Sequence, residues 1–171
     1  MFPIKSERLI LIPLTLTQLE AGLNSTRVLS TSLGIRLAGH LFEGVVERAV
    51  RMKIAKMAAV AVIDHSWYTY WLIVIKQDEI GAGLVGFKGT PNENGEAEIG
   101  YGIGEEFQGH GFMSEAVQAL VKWAFTHPQC TAVTATGVRA DNYASQKVLK
   151  HAGFTLIEEG EQYLNYRLDR V

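Results

Sequence analysis

A glycine-rich turn that leads straight into an amphipathic helix constrains this chain more than any other feature. Residues 108–115 are Gln-Gly-His-Gly-Phe-Met-Ser-Glu, and apolar residues recur at helical spacing from Phe112 to Phe125 before Pro128 ends the pattern. Glycines before a helix let backbone N–H groups converge where the helix dipole adds partial positive charge. The pattern therefore predicts either a site for a pyrophosphate at residues 109–114 or a tight turn that binds nothing.

The strand expected just before this turn contains glycines, which strands disfavour. Asn94-Gly95 predicts a turn that opens a strand over residues 96–103. Alternation places apolar side chains on one face of it, and two carboxylates with Gly100 and Gly102 on the other. Such glycines indicate either a bulge or a ligand that lies against bare backbone.

The remaining pattern predicts a single domain over residues 1–171 that mixes helices and strands. Antiparallel hairpins come first, and a strand–helix–strand crossover follows. Residues 15–60 contain few strand signals. Further strands are predicted over 8–14, 71–75, 80–87, 131–138, 154–157 and 162–168, and further helices over 43–52 and 142–151.

Composition excludes several classes of protein. A chain of 171 residues that is 47% hydrophobic can build a core without a disulfide or a metal. Its formal charge of −2 is unlike the basic footprint of a nucleic-acid binder. The longest apolar runs, 58–63 and 71–75, fall far short of the roughly 20 residues that span a membrane. The single cysteine, Cys130, and the lack of a secretory signal predict a cytoplasmic protein.

Known phosphate-binding motifs narrow the choice of ligand. No Gly-Lys-Ser/Thr follows the first glycine, which excludes a P-loop. A dinucleotide fingerprint needs a third glycine or alanine, where this chain has Ser114, and an acidic residue further on, which 131–136 lacks. The five histidines show no metal-ligand spacing, so no metal is predicted.

Two motifs resemble those of the GNAT superfamily of acyl-CoA N-acyltransferases. Residues 108–113 resemble its Gln/Arg-x-x-Gly-x-Gly/Ala signature, and residues 142–154 resemble its second motif at the expected spacing downstream. The opening residues 6–11 (Ser-Glu-Arg-Leu-Ile-Leu) and residues 98–101 (Glu-Ile-Gly-Tyr) resemble in particular the Rim-type branch, the ribosomal-protein N-terminal acetyltransferases and their relatives. The resemblance covers nearly the whole chain.

The resemblance implies an α+β fold in which helices flank a mixed, mostly antiparallel sheet of seven strands. Its fourth and fifth strands, here 96–103 and 131–138, splay apart and hold acetyl-CoA between them. The implied activity is direct transfer of an acetyl group, in a ternary complex, to a primary amine on a protein N-terminus, a peptide or a small molecule. No nucleic-acid or membrane partner is predicted.

The same resemblance assigns the residues that hold acetyl-CoA. The backbone of Tyr101, Gly102 and Ile103 would hold the pantetheine arm, and Asn142 would bond it from the following helix. The pyrophosphate would lie on the turn made of Gln108, Gly109, His110, Gly111, Phe112, Met113 and Ser114.

The proton donor for the leaving thiolate departs from the family pattern. Many family members use a tyrosine seven residues after the motif asparagine, where this chain has Leu149. Ser145 is predicted instead, because it shares a helix face with Asn142 and the Rim-type branch is thought to use a serine there. The alternatives are that Ser145 only bonds the helix backbone or that Tyr143, which faces away, supplies the proton.

A general base is less clearly marked. Glu98 shares a strand face with the two glycines and could hold a water near the amine, or it is simply a solvated carboxylate. An α-amino group with a pKa near 8 is about one-tenth neutral at pH 7, so it needs little help, whereas a lysine needs much. The basic residues of one helix either form a solvated face or select acidic acceptors: Arg48, Arg51, Lys53 and Lys56.

Two other functions stay open from the sequence. Leu149 in place of the tyrosine favours a non-catalytic acyl-CoA-binding module of the same fold. Gly100 and Gly102 leave room for an acyl chain longer than acetyl. The aromatic residues before the first hairpin either line an acceptor pocket or pack on the strand edge: Trp67, Tyr68, Tyr70 and Trp71.

Overall fold

The computed structural model describes residues 1–171 and contains one open sheet with helices on both faces. The strands are β1 (Ile4–Lys5), β2 (Leu9–Pro13), β3 (Arg36–Leu37), β4 (Trp71–Ile75), β5 (Ile80–Phe87), β6 (Glu96–Ile103), β7 (Ala132–Arg139), β8 (Thr155–Glu159) and β9 (Tyr163–Asp169). The helices are α1 (Leu16–Asn24), α2 (Thr26–Leu33), α3 (Val45–Ala58), α4 (His65–Tyr68), α5 (Phe112–Phe125) and α6 (Tyr143–His151). The strand order is β1-β2-β4-β5-β6-β7-β9-β8, and β3 pairs with β5.

Seven of these strands contain five residues or more, and they form the sheet that the resemblance implied. Only the β3–β5 and β6–β7 pairs are parallel. The predicted fold class, a mixed and mostly antiparallel sheet flanked by helices, is therefore confirmed. The two-residue strands β1 and β3 are additions that the sequence did not indicate.

The sheet opens at its centre, where β6 and β7 diverge. Parallel pairing joins the two strands only from Glu96, opposite Ala132, to Glu98, opposite Thr134. Beyond that point β6 pairs with β5 as far as Ile103, while β7 pairs with β9. The facing edges of β6 and β7 are thus left without a strand partner over their second halves, which confirms the predicted splay.

Helix α5 packs on one face of the sheet and brings the glycine turn to this gap. Its buried residues follow the helical period and join the larger of two apolar cores. Burying each Leu or Val side chain contributes roughly 1.5–3 kcal/mol, which anchors the helix firmly. None of the six helices is long and apolar enough to cross a lipid bilayer.

Helices α1 and α2 were not predicted, although their starting signals are present. Thr15 caps α1 through a reciprocal pair of bonds with Gln18, and Ser25 caps α2. Both helices have only eight or nine residues, which is short for a window that detects helical periodicity, and half of α2 is Ser or Thr, which are weak helix formers. Helix α3, predicted over 43–52, runs on to Ala58. Together with α1 and α2 it packs on the second face of the sheet.

Cys130 is fully buried immediately before β7. Burial raises the pKa of its thiol, so little thiolate forms at neutral pH. This is the environment of an inert thiol.

Candidate active site

The glycine turn before α5 presents free backbone donors beside the gap. Gly109 and Gly111 have φ of 79° and 77°, a left-handed conformation that favours glycine. The amide N–H groups of residues 109–114 have no hydrogen-bond acceptor within the protein. Six unpaired donors at a helix N-terminus fit an anion such as a pyrophosphate.

A cavity of about 650 Å³ extends from this turn into the gap between β6 and α6. It gathers nearly all of the residues that the sequence assigned to acetyl-CoA: Tyr101, Gly102, Ile103, Gln108, Gly109, Gly111, Phe112, Met113, Ser114 and Asn142. Ser145 also lines it. His110 is the one assigned turn residue outside the lining, and its ring stacks on Phe112 with centroids 5.7 Å apart.

The free edge of β6 turns two backbone amides toward this cavity. The ladder to β5 uses the carbonyl of Glu98 and the N–H of Gly104. Hydrogen bonding alternates along an antiparallel strand, so Gly100 and Gly102 also bond to β5, while Tyr101 and Ile103 face the gap. Gly102 contributes open space, since a Cβ placed there would meet no atom within 4 Å.

Asn142 caps α6, and this fixes the face that the helix shows to the cavity. Its Oδ1 accepts a hydrogen bond from the N–H of Ser145 at 3.0 Å. The NH₂ group of Asn142 makes no hydrogen bond within the protein and remains available to a ligand.

Ser145 forms a hydroxyl pair with Tyr101 across the cavity. The Tyr101 phenol lies 2.8 Å from the Ser145 Oγ and 3.3 Å from its carbonyl oxygen. Burial, partly offset by this bond, raises the pKa of Tyr101 to about 12, so the phenol keeps its proton. The side chain of Tyr101 was not singled out from the sequence, although its place on the helix-packed face of β6 was a usable signal.

The positions of Leu149 and Tyr143 limit the other sources of a proton. Leu149 is fully buried beneath α6 and lines neither the cavity nor the gap. Tyr143 is 70% exposed and also lies outside the cavity lining. Ser145 is therefore the α6 hydroxyl that faces the gap.

Glu98 is engaged on the other side of β6. Its carboxylate pairs with the Lys88 ammonium at 2.5 Å and accepts a hydrogen bond from Thr136. It lines neither the 650 Å³ cavity nor the apolar cavity between β6 and α3. Its role as a base stays a prediction, and these contacts favour the alternative of a structural carboxylate.

A second cavity, of about 540 Å³, lies between β6 and the start of α3. Apolar side chains form most of its wall: Leu41, Val45, Val46, Ala49, Tyr70, Leu84 and Ile103. Glu105 and Glu106 stand on its rim, His40 also lines it and pairs with Glu43 at 2.5 Å, and no lysine or arginine lines it. Of the aromatic residues before the first hairpin, Tyr70 lines this cavity, whereas Trp67 and Trp71 are buried in the core. The two glutamates directly follow Gly104 and were not singled out from the sequence.

The basic residues of α3 do not form one solvated face. Lys53 is buried, and its ammonium donates to the carbonyls of Tyr68 at 3.2 Å and Phe87 at 2.5 Å. Arg51 pairs with Glu47 along the helix at 2.8 Å. None of the four basic residues lines the second cavity, so they offer no argument for acidic acceptors.

The buried Lys53 makes stability depend on pH. Burial, followed by the charges of Lys56 and Lys88, lowers the pKa of Lys53 to about 7. The unfolded chain therefore binds more protons than the folded one between about pH 7 and pH 10, and stability rises with pH across this window. We expect the free energy of unfolding to rise by about 2 kcal/mol from pH 7 to pH 9, and Lys53→Met to remove most of this rise in urea titrations. An unchanged slope in the variant would contradict the assignment.

The architecture defines a class of protein. A mixed sheet that splays at its centre, with a glycine turn and a helix N-terminus beside the gap, is that of an acyl-CoA-dependent acyltransferase. The chain belongs to the acetyltransferase (GNAT) domain family, whose match spans residues 8–155.

Comparison with individual proteins agrees with this membership. The chain is 35% identical over 96 residues to the uncharacterized N-acetyltransferase YjdG of Bacillus subtilis strain 168, covering 56% of each. It is 33% identical over 107 residues to the ribosomal-protein-serine acetyltransferase of Escherichia coli K12, covering 61% of this chain and 58% of that relative. The matches thus span little more than half the length of these curated relatives.

A solved structure shares the fold over its full length. RimL, a ribosomal L7/L12 alpha-N-protein acetyltransferase in complex with coenzyme A, superposes with a TM-score of 0.68 and covers 98% of each chain. Because the two sequences are 22% identical, this likeness is one of fold.

Proposed function

We propose that this protein transfers the acetyl group of acetyl-CoA directly to a primary amine within a ternary complex. The observation that carries the proposal is the meeting of two cavities at the splayed strand. The 650 Å³ cavity, which would hold the donor and is called the cofactor cavity from here on, shares Tyr101, Gly102 and Ile103 with the second cavity. No side chain stands at Gly102 to separate the two. A donor in one cavity and an amine in the other would meet across bare backbone.

Each part of the cofactor cavity would hold one part of the donor. The turn at 109–114 offers amides to the pyrophosphate, and the exposed edge of β6 offers Tyr101 and Ile103 to the pantetheine arm. Asn142 offers its NH₂ group from α6. Acetyl-CoA itself supplies the thioester that the amine attacks.

The chemistry needs an oxyanion donor and a proton for the thiolate. A backbone N–H on the free edge of β6 would stabilise the oxyanion as a preorganised dipole. The Ser145 hydroxyl would protonate the thiolate, with the Tyr101 phenol holding it in place. The amine enters neutral, and the proton that its nitrogen loses as the amide forms would replace the one that Ser145 gives to the thiolate, so the transfer balances without a strong base.

The second cavity favours an acceptor with an apolar side chain and a nearby cationic group. The glutamates on its rim would attract a cation, and its wall would take an apolar residue. A protein or peptide N-terminus fits, because an α-amino group releases its proton far more readily than a lysine does. One curated relative is named for acetylating a ribosomal protein, which supports a protein N-terminus over a small amine.

Calorimetric titration with acetyl-CoA tests the donor site. We expect one-site binding in the micromolar range, no binding of NAD, and at least tenfold weaker acetyl-CoA binding by Gly111→Trp, because a side chain there strains the turn and obstructs its amides. Gly34→Trp is the matched control, since Gly34 has a similar φ of 65° at the end of α2 and lies outside both cavities. Equal weakening by both variants would count against the site.

An acyl-CoA-binding module without activity is the second candidate, favoured by the buried Leu149 in place of the family's tyrosine. A screen of peptides with free N-termini, read by mass spectrometry, separates the two functions. Acetylated peptide supports the enzyme, whereas tight donor binding without turnover of any acceptor supports the module.

A further inference from the structure

The segment before β2 is tied to the first turn of α5 by a dense set of polar contacts. The Glu115 carboxylate accepts hydrogen bonds from the Ser6 hydroxyl, the Arg8 backbone N–H and the Arg8 Nε, each at 2.7 Å. The residues joined lie more than a hundred positions apart in the chain. We call Ser6, Arg8 and Glu115 the N-terminal clasp.

Arg8 reaches beyond Glu115 to the glycine turn itself. Its Nη1 donates to the His110 carbonyl at 2.9 Å, and its guanidinium carbon lies 4.8 Å from the centre of the Phe112 ring. Its Nη2 lies 3.4 Å from the position that a Cβ on Gly111 would take. One side chain thus contacts His110 and Phe112 and lies beside Gly111 between them.

The turn needs such support because its own sequence leaves it free to move. Gly109 and Gly111 have a wide choice of backbone conformations, and ordering them on a ligand costs entropy. The Gln108 side chain makes one long contact of 3.5 Å, to the carbonyl of Ile103. The Arg8 bond to His110 is therefore the strongest side-chain restraint on the turn.

Charge gives a second reason for the clasp. Burial would raise the pKa of Glu115, but the bonds from Arg8 and Ser6 hold it below its ordinary value, so the carboxylate stays charged. The Glu115 side chain is only 16% exposed and lies one turn from the proposed pyrophosphate site. Without Arg8, its negative charge would repel a bound pyrophosphate.

We propose that Arg8, held by Glu115 and Ser6, is a positioning residue that sets the glycine turn for the pyrophosphate of the donor. The inference rests on the proposed donor site at 109–114. Under this proposal, the opening Ser-Glu-Arg stretch supports the turn that would bind the donor's pyrophosphate.

Binding of coenzyme A and of pantetheine, which lacks the pyrophosphate, distinguishes positioning from general stability. We expect Arg8→Gln to weaken coenzyme A binding by roughly tenfold in calorimetry and to leave pantetheine binding, followed by NMR titration, unchanged. Backbone ¹⁵N order parameters over 109–114, measured by NMR relaxation, should fall in the variant. Arg51→Gln, which breaks the exposed pair with Glu47 on α3, is the matched control and should change none of these.

The double variant tests the charge argument. Glu115→Gln added to Arg8→Gln removes the unpaired carboxylate, so we expect it to recover part of the lost coenzyme A affinity. Unchanged coenzyme A affinity in Arg8→Gln, or an equal loss for coenzyme A and pantetheine, would overturn the positioning role while the donor site stands. Failure of the wild-type protein to bind either compound would overturn the donor site and the clasp together.

Discussion

Ser145→Ala should lower kcat for acetyl transfer by about a hundredfold or more, the usual contribution of a positioned proton donor. The KM for acetyl-CoA should change little, because the backbone of the turn and of β6 makes the proposed donor contacts. Steady-state kinetics with an N-terminal peptide measures both. Tyr143→Phe is the matched control: it removes the hydroxyl of a residue on the same helix that is 70% exposed and faces away from the gap.

Tyr101→Phe separates the two members of the hydroxyl pair. It should lower kcat less than Ser145→Ala does, because the serine remains in the gap and only loses its partner at 2.8 Å. Because burial raises the pKa of Tyr101 to about 12, the phenol stays protonated below pH 10. Its ionisation should therefore not lower wild-type activity in that range. Wild-type kcat in Ser145→Ala would rule out the serine as the proton donor.

Gly102→Ile should reduce kcat/KM by about a hundredfold or more while the protein still folds. A Cβ at this position meets no atom within 4 Å, so the added side chain is accommodated in open space. That space is where the two cavities meet, and small displacements of reacting groups cost large factors in rate. The series Gly102→Ala, Gly102→Val and Gly102→Ile should lower activity in proportion to side-chain size.

Thermal melting and hydrogen exchange of the same series provide the control on folding. Native melting in Gly102→Ile with lost turnover would place the effect in the gap. Full activity in that variant would mean that the acetyl group does not pass across β6 at this point.

Periodicity predicted the elements that carry the site with good accuracy. Strand β6 and helix α5 have the predicted bounds, because strict alternation and a long apolar stripe leave few other structures open. The glycine turn and the cap at Asn142 follow from local backbone chemistry, which short sequence windows record. Local pattern therefore sufficed for the parts of the site formed by neighbours in the chain.

Contacts between distant parts of the chain could not be predicted in this way. The bond between Tyr101 and Ser145 joins residues 44 apart, and the bond between Arg8 and Glu115 joins residues 107 apart. Lys53 follows the polar pattern of α3, yet packing against the ends of α4 and β5 buries it. Each of these depends on how elements pack, and residue spacing within one element does not record it.

The burial of Cys130 determines how the proposed acetyl transfer can be followed. Released coenzyme A carries a thiol, and the folded chain exposes none of its own, so a colorimetric thiol reagent would count product without a protein background. The only cysteine, Cys130, lies two residues before Ala132, where β7 begins and still pairs with β6. It is therefore away from the open gap. Oxidative trapping of the spent cofactor on this protein is therefore not expected.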